Sequence, residues 1–176
     1  MKFRFGRALL SGLILLVLFS GSVSAQEIGT IQATANVLQA LVVRGLNNLE
    51  FGVVTPGINK TVDKGDVGPA GEWDITGPPT VEVLLDFDLP DSLIHEDSIY
   101  GMQVVFSTTD VSYDDGTGGG QTAPVGIINP HALELADLGI GGVMNLWIGG
   151  TVMPRLTQTG GYYTADVVLT VTLTGN

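Results

Sequence analysis

Asp166-Val167-Val168-Leu169-Thr170-Val171-Thr172-Leu173-Thr174, near the C-terminus of the 176-residue sequence, alternates apolar and polar side chains. Val167, Leu169, Val171 and Leu173 fall on one face; Asp166, Thr170, Thr172 and Thr174 fall on the other. Successive side chains of a strand point to opposite sides of its sheet, so this period predicts a strand with one buried and one wet face. Extended back to Tyr162, after the Gly160-Gly161 turn, it covers residues 162–174.

The same pattern recurs upstream. Residues 143–152 form an apolar run with a bulge or sharp bend at Gly149-Gly150. Residues 102–108 read as another strand. In 80–88, Val81, Val83, Leu85 and Phe87 alternate with Glu82, Asp86 and Asp88, while Leu84 breaks the polar face. Residues 72–76 carry Trp73 and Ile75 on one face; residues 49–54 end at the turn Thr55-Pro56-Gly57. Farther back, Ile31, Ala33, Ala35, Val37, Leu41 and Val43 share a face opposite Thr30, Gln32, Thr34 and Asn36, which predicts a long first strand over 31–43. Asp114-Asp115-Gly116-Thr117-Gly118-Gly119-Gly120 reads as a flexible loop. The best site for a helical turn is 130–138, with Asn129 as cap and Pro130 at the first helical position.

About seven strands separated by Gly/Pro turns predict an all-β protein, an antiparallel β-sandwich, with a closed barrel as the alternative. The expected core contains Phe51, Trp73, Val83, Leu85, Trp147, Val167, Leu169 and Val171, with Phe51 and Trp147 on the inner faces of the two sheets.

The N-terminal residues point to export. Lys2, Arg4 and Arg7 precede the apolar run 8–19, and Val23-Ser24-Ala25 offers small residues before Gln26. This predicts a signal peptide over 1–25 and one domain over 26–176. Twelve apolar residues are too few to span a bilayer, which needs about 20. Cleavage after Ala25 leaves four Lys+Arg against 18 Asp+Glu, a net charge of −14. Such a chain repels nucleic acid and anionic lipid. The absence of cysteine removes disulfides, thiol nucleophiles and a lipoprotein anchor.

Catalytic chemistry finds little support. His95, in Ser92-Leu93-Ile94-His95-Glu96-Asp97, and His131, after Asn129-Pro130, read as loop histidines remote from any nucleophile pattern. Asp86 and Asp88 share a strand face but lack flanking aromatic residues to hold a sugar. Asp86, Asp88, Asp91, Glu96 and Asp97 cluster, and Asp110, Asp114 and Asp115 border the glycine loop, yet neither group has the spacing of a helix–loop–helix calcium site. No cofactor or metal is expected, and the chain is read as non-enzymatic.

Three blocks carry a resemblance: 49–57; Trp73-Asp74-Ile75-Thr76-Gly77-Pro78-Pro79 with the strand after it; and Trp147-Ile148-Gly149-Gly150-Thr151-Val152 with Gly161-Tyr162-Tyr163-Thr164. In order and spacing they resemble the bacterial family called domain of unknown function 4402, over residues 33–176. The resemblance implies an exported, immunoglobulin-like (pilin-like) sandwich related to spore-coat-U-like pilins of surface fibres. A structural role in a pilus-like or biofilm-matrix fibre at the cell surface follows. Its subunits would join by β-strand addition, with other subunits and a periplasmic chaperone as partners. Only residues 26–30 separate the cleavage site from the first strand, so a donated segment would include that strand itself, from Ile31 to Val43. The alternative is a monomeric secreted adhesin that recognises glycan or calcium through acidic loops.

Overall fold

The computed structural model describes residues 32, 34–35 and 39–174; the expected signal peptide lies outside them, as do Ile31, Ala33 and Val37. The chain divides into two units, Met1–Asn36 and Val37–Asn176. In the first, the described residues Gln32, Thr34 and Ala35 are exposed and not in a strand. Among its described residues the second carries thirteen strands and one 3-10 turn, Gly120–Thr122.

The strands are β1 (Val42–Asn47), β2 (Lys60–Val62), β3 (Gly71–Thr76), β4 (Glu82–Asp88), β5 (Ser92–His95), β6 (Gly101–Val105), β7 (Val111–Asp114), β8 (Gly126–Ile128), β9 (Glu134–Asp137), β10 (Val143–Ile148), β11 (Gly150–Met153), β12 (Tyr163–Thr164) and β13 (Val168–Leu173). One sheet runs β1-β3-β10-β7-β8, a second β12-β5-β6-β11-β2, and a third β13-β4-β9. The pairings are antiparallel throughout. β4 runs into β5 across residues 89–91, and β12 into β13 across 165–167. Because β4 pairs β13 and β5 pairs β12, the second and third sheets are two halves of one bent ribbon.

The bend expected at Gly149 is where the chain leaves the first sheet as β10 and enters the second as β11. A Cβ at Gly149 would press on the Val62 carbonyl oxygen and lie 2.7 Å from the Lys64 nitrogen, so the crossing needs glycine. Ile75, Met144, Leu146 and Ile148 from the first sheet meet Met102, Val104 and Val152 from the second and Val83, Leu85 and Phe87 from the third in one buried cluster. Burying each large apolar side chain contributes about 1.5–3 kcal/mol. Among the described residues no helix is long and apolar enough to cross a membrane.

Several elements differ from the expectation. Residues 49–54 are not a strand: Gly52 takes φ +61°, Val53 is 90% exposed, and Glu50 N–H donates to the Pro69 carbonyl rather than to a ladder. Phe51 is buried all the same. Residues 134–137 form β9 rather than a helical turn, because Leu135 and Ala136 pair with Leu84 and Val83 and extend the third sheet. Of the run expected as one strand over 31–43, the described residues before Val42 are in no sheet, and β1 begins at Val42.

Trp147 is also placed differently. Met144, Leu146 and Ile148 pair with Ile75, Trp73 and Gly71 and face the core, so Trp147 points to the other side of β10, opposite Glu72 and Ser112. It is nonetheless only 5% exposed. The 3-10 turn packs on β10 and β7, and the Gln121 amide donates to the Lys64 carbonyl (2.8 Å), so the glycine loop covers that face.

Candidate assembly edges

β1 and β13 end their sheets, and among the described residues each has a partner on one side only. Their relative position follows from the topology. Trp73 of β3 meets Phe87 of β4 edge-on, with ring centroids 6.0 Å apart, so β3 lies over β4. β9 passes to β10 through the tight turn 138–142, closed by Gly139 N–H to the Val143 carbonyl and Gly142 N–H to the Gly139 carbonyl, so β10 lies over β9. β1 therefore falls over β13, and among the described residues both are edge strands on the same side of the sandwich.

The inner faces of both edge strands are apolar. Val43 pairs with Ile75 on β3, which sets its side chain on the inner face of β1, while Leu41 sits just before the strand. Leu169, Val171 and Leu173 pair with Phe87, Leu85 and Val83 and share their inward face on β13, with Val167 just before it. All six are half-buried and pack on the core. Trp73 is half-buried too, whereas Val83 and Leu85 are fully buried one strand farther in. The gradient is physical: a strand paired on one side leaves its apolar face covered from one side.

The two edges differ in protection. Natural edge strands are guarded by charge, proline or a bulge. β1 has Arg44 and a register shift between Gly45 and Asn47. β13, Val-Leu-Thr-Val-Thr-Leu, has no charge or proline, and its register on β4 is regular from Val168 to Leu173. β13 is the unguarded edge.

The acidic residues serve local turns. Asp110 accepts from the Ser107 N–H and hydroxyl, both at 2.7 Å, and Asp115 from the Thr117 hydroxyl at 2.6 Å. Asp86 and Asp88 lie on the outer face of β4, opposite Thr170 and Val168. Among the described residues no three His, Asp or Glu side chains stand where they could hold a metal ion. His131, exposed, directs Nε2 at the Phe106 carbonyl (2.8 Å). A shallow cavity of about 320 Å³ lies beside it, lined in part by Asp86, Phe87 and Leu133. His95, expected in a loop, instead ends β5 and is buried. Its pairing with Tyr163 gave no periodic signal, because it joins distant stretches of the chain as neighbouring strands of the second sheet.

The glycine loop is folded around one carboxylate. Asp114 is buried and accepts the N–H groups of Gly116 (2.7 Å), Gly118 (3.0 Å) and Gly120 (2.5 Å). Burial pushes its carboxyl up, but the N–H groups of Gly118, Gly120, Gly116 and Thr117 outweigh that and hold it below its ordinary 3.8. A depressed carboxyl stabilises the fold fully above 3.8, and the contribution is lost as pH falls through the lower folded value. Asp114→Asn, which turns an amide donor toward N–H groups, is expected to cost about 1.5–3 kcal/mol at neutral pH. Its midpoint should then converge on the parent's as both are acidified, which denaturant titrations at a series of pH values will check.

The chain matches no protein-family model, and no curated protein matches it.

Proposed function

We propose that this chain is an exported, non-enzymatic structural subunit that self-associates by β-strand addition at the edges of β13 and β1. The observation that carries the reading is the edge of β13: six residues without charge or proline, an apolar inner face only half covered, and β1, itself an edge strand among the described residues, opposite. In strand addition, backbone hydrogen bonds supply affinity and alternate side chains fill the groove. The segment that fits is 31–40 of another copy, whose Ile31, Ala33, Ala35 and Val37 alternate with Gln32, Thr34 and Asn36. Leu41 and Val43 belong to the chain's own sandwich, so the donated stretch ends before β1.

Export accounts for the basic and apolar residues of 1–25, and release after Ala25 would leave 31–40 close to a free N-terminus. Before assembly, an open apolar edge requires cover, the role of a periplasmic chaperone. The pilin-like blocks of the sequence agree with a place in a surface fibre. The test compares the chain starting at Gln26 with one starting at Leu41, by sedimentation and negative-stain microscopy. Oligomers or filaments are expected from the first and folded monomers from the second. Monomers alone from the longer chain, at every concentration, overturn the reading.

A further inference from the structure

The ring of His95 lies between the turn that follows β5 and the glycine pair that precedes β12. Nδ1 is 2.8 Å from Asp97 Oδ1, and Nε2 is 3.2 Å from the Gly160 carbonyl oxygen. The ring is 7% exposed, with Tyr163 edge-on at 4.9 Å and Tyr100 at 6.0 Å. A Cβ on Gly161, which takes φ +148°, would run into Nε2, so glycine is required for the ring to reach the Gly160 carbonyl. Around this contact the segment is tied to the second sheet. Glu96 N–H donates to the Tyr162 carbonyl (3.0 Å), the Gln158 amide to the Gly101 carbonyl (3.2 Å) and to Tyr163 Oη (2.7 Å), and the Tyr163 hydroxyl to the Thr159 carbonyl (2.8 Å).

A neutral imidazole carries one N–H, and here both ring nitrogens face acceptors. With the proton on Nε2, the Nδ1 lone pair points at a carboxylate 2.8 Å away, compensated only by the longer Asp97 N–H contact at 3.2 Å. With the proton on Nδ1, the Nε2 lone pair points at the Gly160 carbonyl. The imidazolium alone donates to both. We propose that His95 is a proton-operated clasp: charged, it bridges Asp97 to Gly160 and holds residues 158–164 on β5; neutral, it lets that segment go.

The groups around the ring agree. Asp97 and Glu96 follow on the same turn, and the aromatic neighbours are Tyr100 and Tyr163. The hydrogen bond to Asp97 raises the His95 pKa above its ordinary 6.5 against the opposing effect of burial, with the Gly160 carbonyl and the charges of Asp97 and Glu96 adding to it. Asp97 is held below its usual range, first by the Ile99 N–H and then by His95. A raised histidine value makes the contribution complete below pH 6.5, and it is lost as pH rises through the folded value.

NMR titration of the full chain, with amide exchange at 158–164, tests this. His95 is expected to titrate above 6.5. Protection at Glu96 and 158–164, corrected for intrinsic exchange, should fall across that midpoint while β10 holds. The fall should be about tenfold for each pH unit by which the midpoint exceeds that of the open segment. His95→Gln should remove the pH step, and Asp97→Asn should lower the His95 midpoint. A His95 midpoint below 6.5, equal protection on both sides of it, or a pH step that survives His95→Gln overturns the proposal.

Discussion

Truncating Trp147 to alanine is expected to lower stability by about 3–5 kcal/mol, as for other buried aromatic residues. That is a large share of the roughly 5–15 kcal/mol that holds a domain of this size. The loss should also have a local signature. Trp147 sits on the face of β10 away from the main cluster, under the loop that Asp114 organises. Amide protection at Gly116, Gly118 and Gly120 should therefore fall more than protection in β4. Denaturant unfolding and hydrogen exchange measure the two effects. A uniform fall would place the indole in the common core instead.

Phe51→Ala is expected to cost a similar 3–5 kcal/mol without that signature. Phe51 is 9% exposed and belongs to the main cluster, although no strand holds it. Its cavity would open between the sheets, so all strands should lose protection together. An unchanged denaturant midpoint would mean that the ring is not a core group.

The two residues show what was legible in the sequence. Period-two alternation revealed β3 and β4 within two residues of their ends, because each has one face on the core; it also found β13, but the strand expected over 162–174 breaks at 165–167 into β12 on the second sheet and β13 on the third. Alternation alone does not say which face an apolar residue takes when both are covered. Trp147 lies between apolar Leu146 and Ile148, and its side follows from the register of β10 on β3 and β7. Short strands such as β2, β5, β7 and β8 exist through their partners rather than through a pattern of their own. β9 is the clearest case: an Asn-Pro start favours a helical turn locally, and pairing with β4 prevails.

The edge strands were half legible. The alternation of 31–43 suggested a strand free to pair with another chain, and its last residues instead close the chain's own first sheet. The unguarded edge lies at the other end of the sequence, on β13, where alternation was plain but the edge position among the described residues was not. Edge position is a property of sheet order, and no local stretch encodes it.

Because the chain has no cysteine, cross-linking can address the assembly directly. Two single-cysteine chains starting at Gln26, one with Thr34→Cys and a size tag, the other with Thr172→Cys, are mixed and treated with a short bismaleimide. Thr172 is exposed on β13, and Thr34 lies on the polar side of the segment proposed to join it. The account predicts a covalent heterodimer that disappears when the chains are mixed in denaturant. A mixture that stays uncross-linked, with the double variant Thr34→Cys/Thr172→Cys closing only on itself, would show that each chain covers its own β13 and would contradict assembly by strand addition.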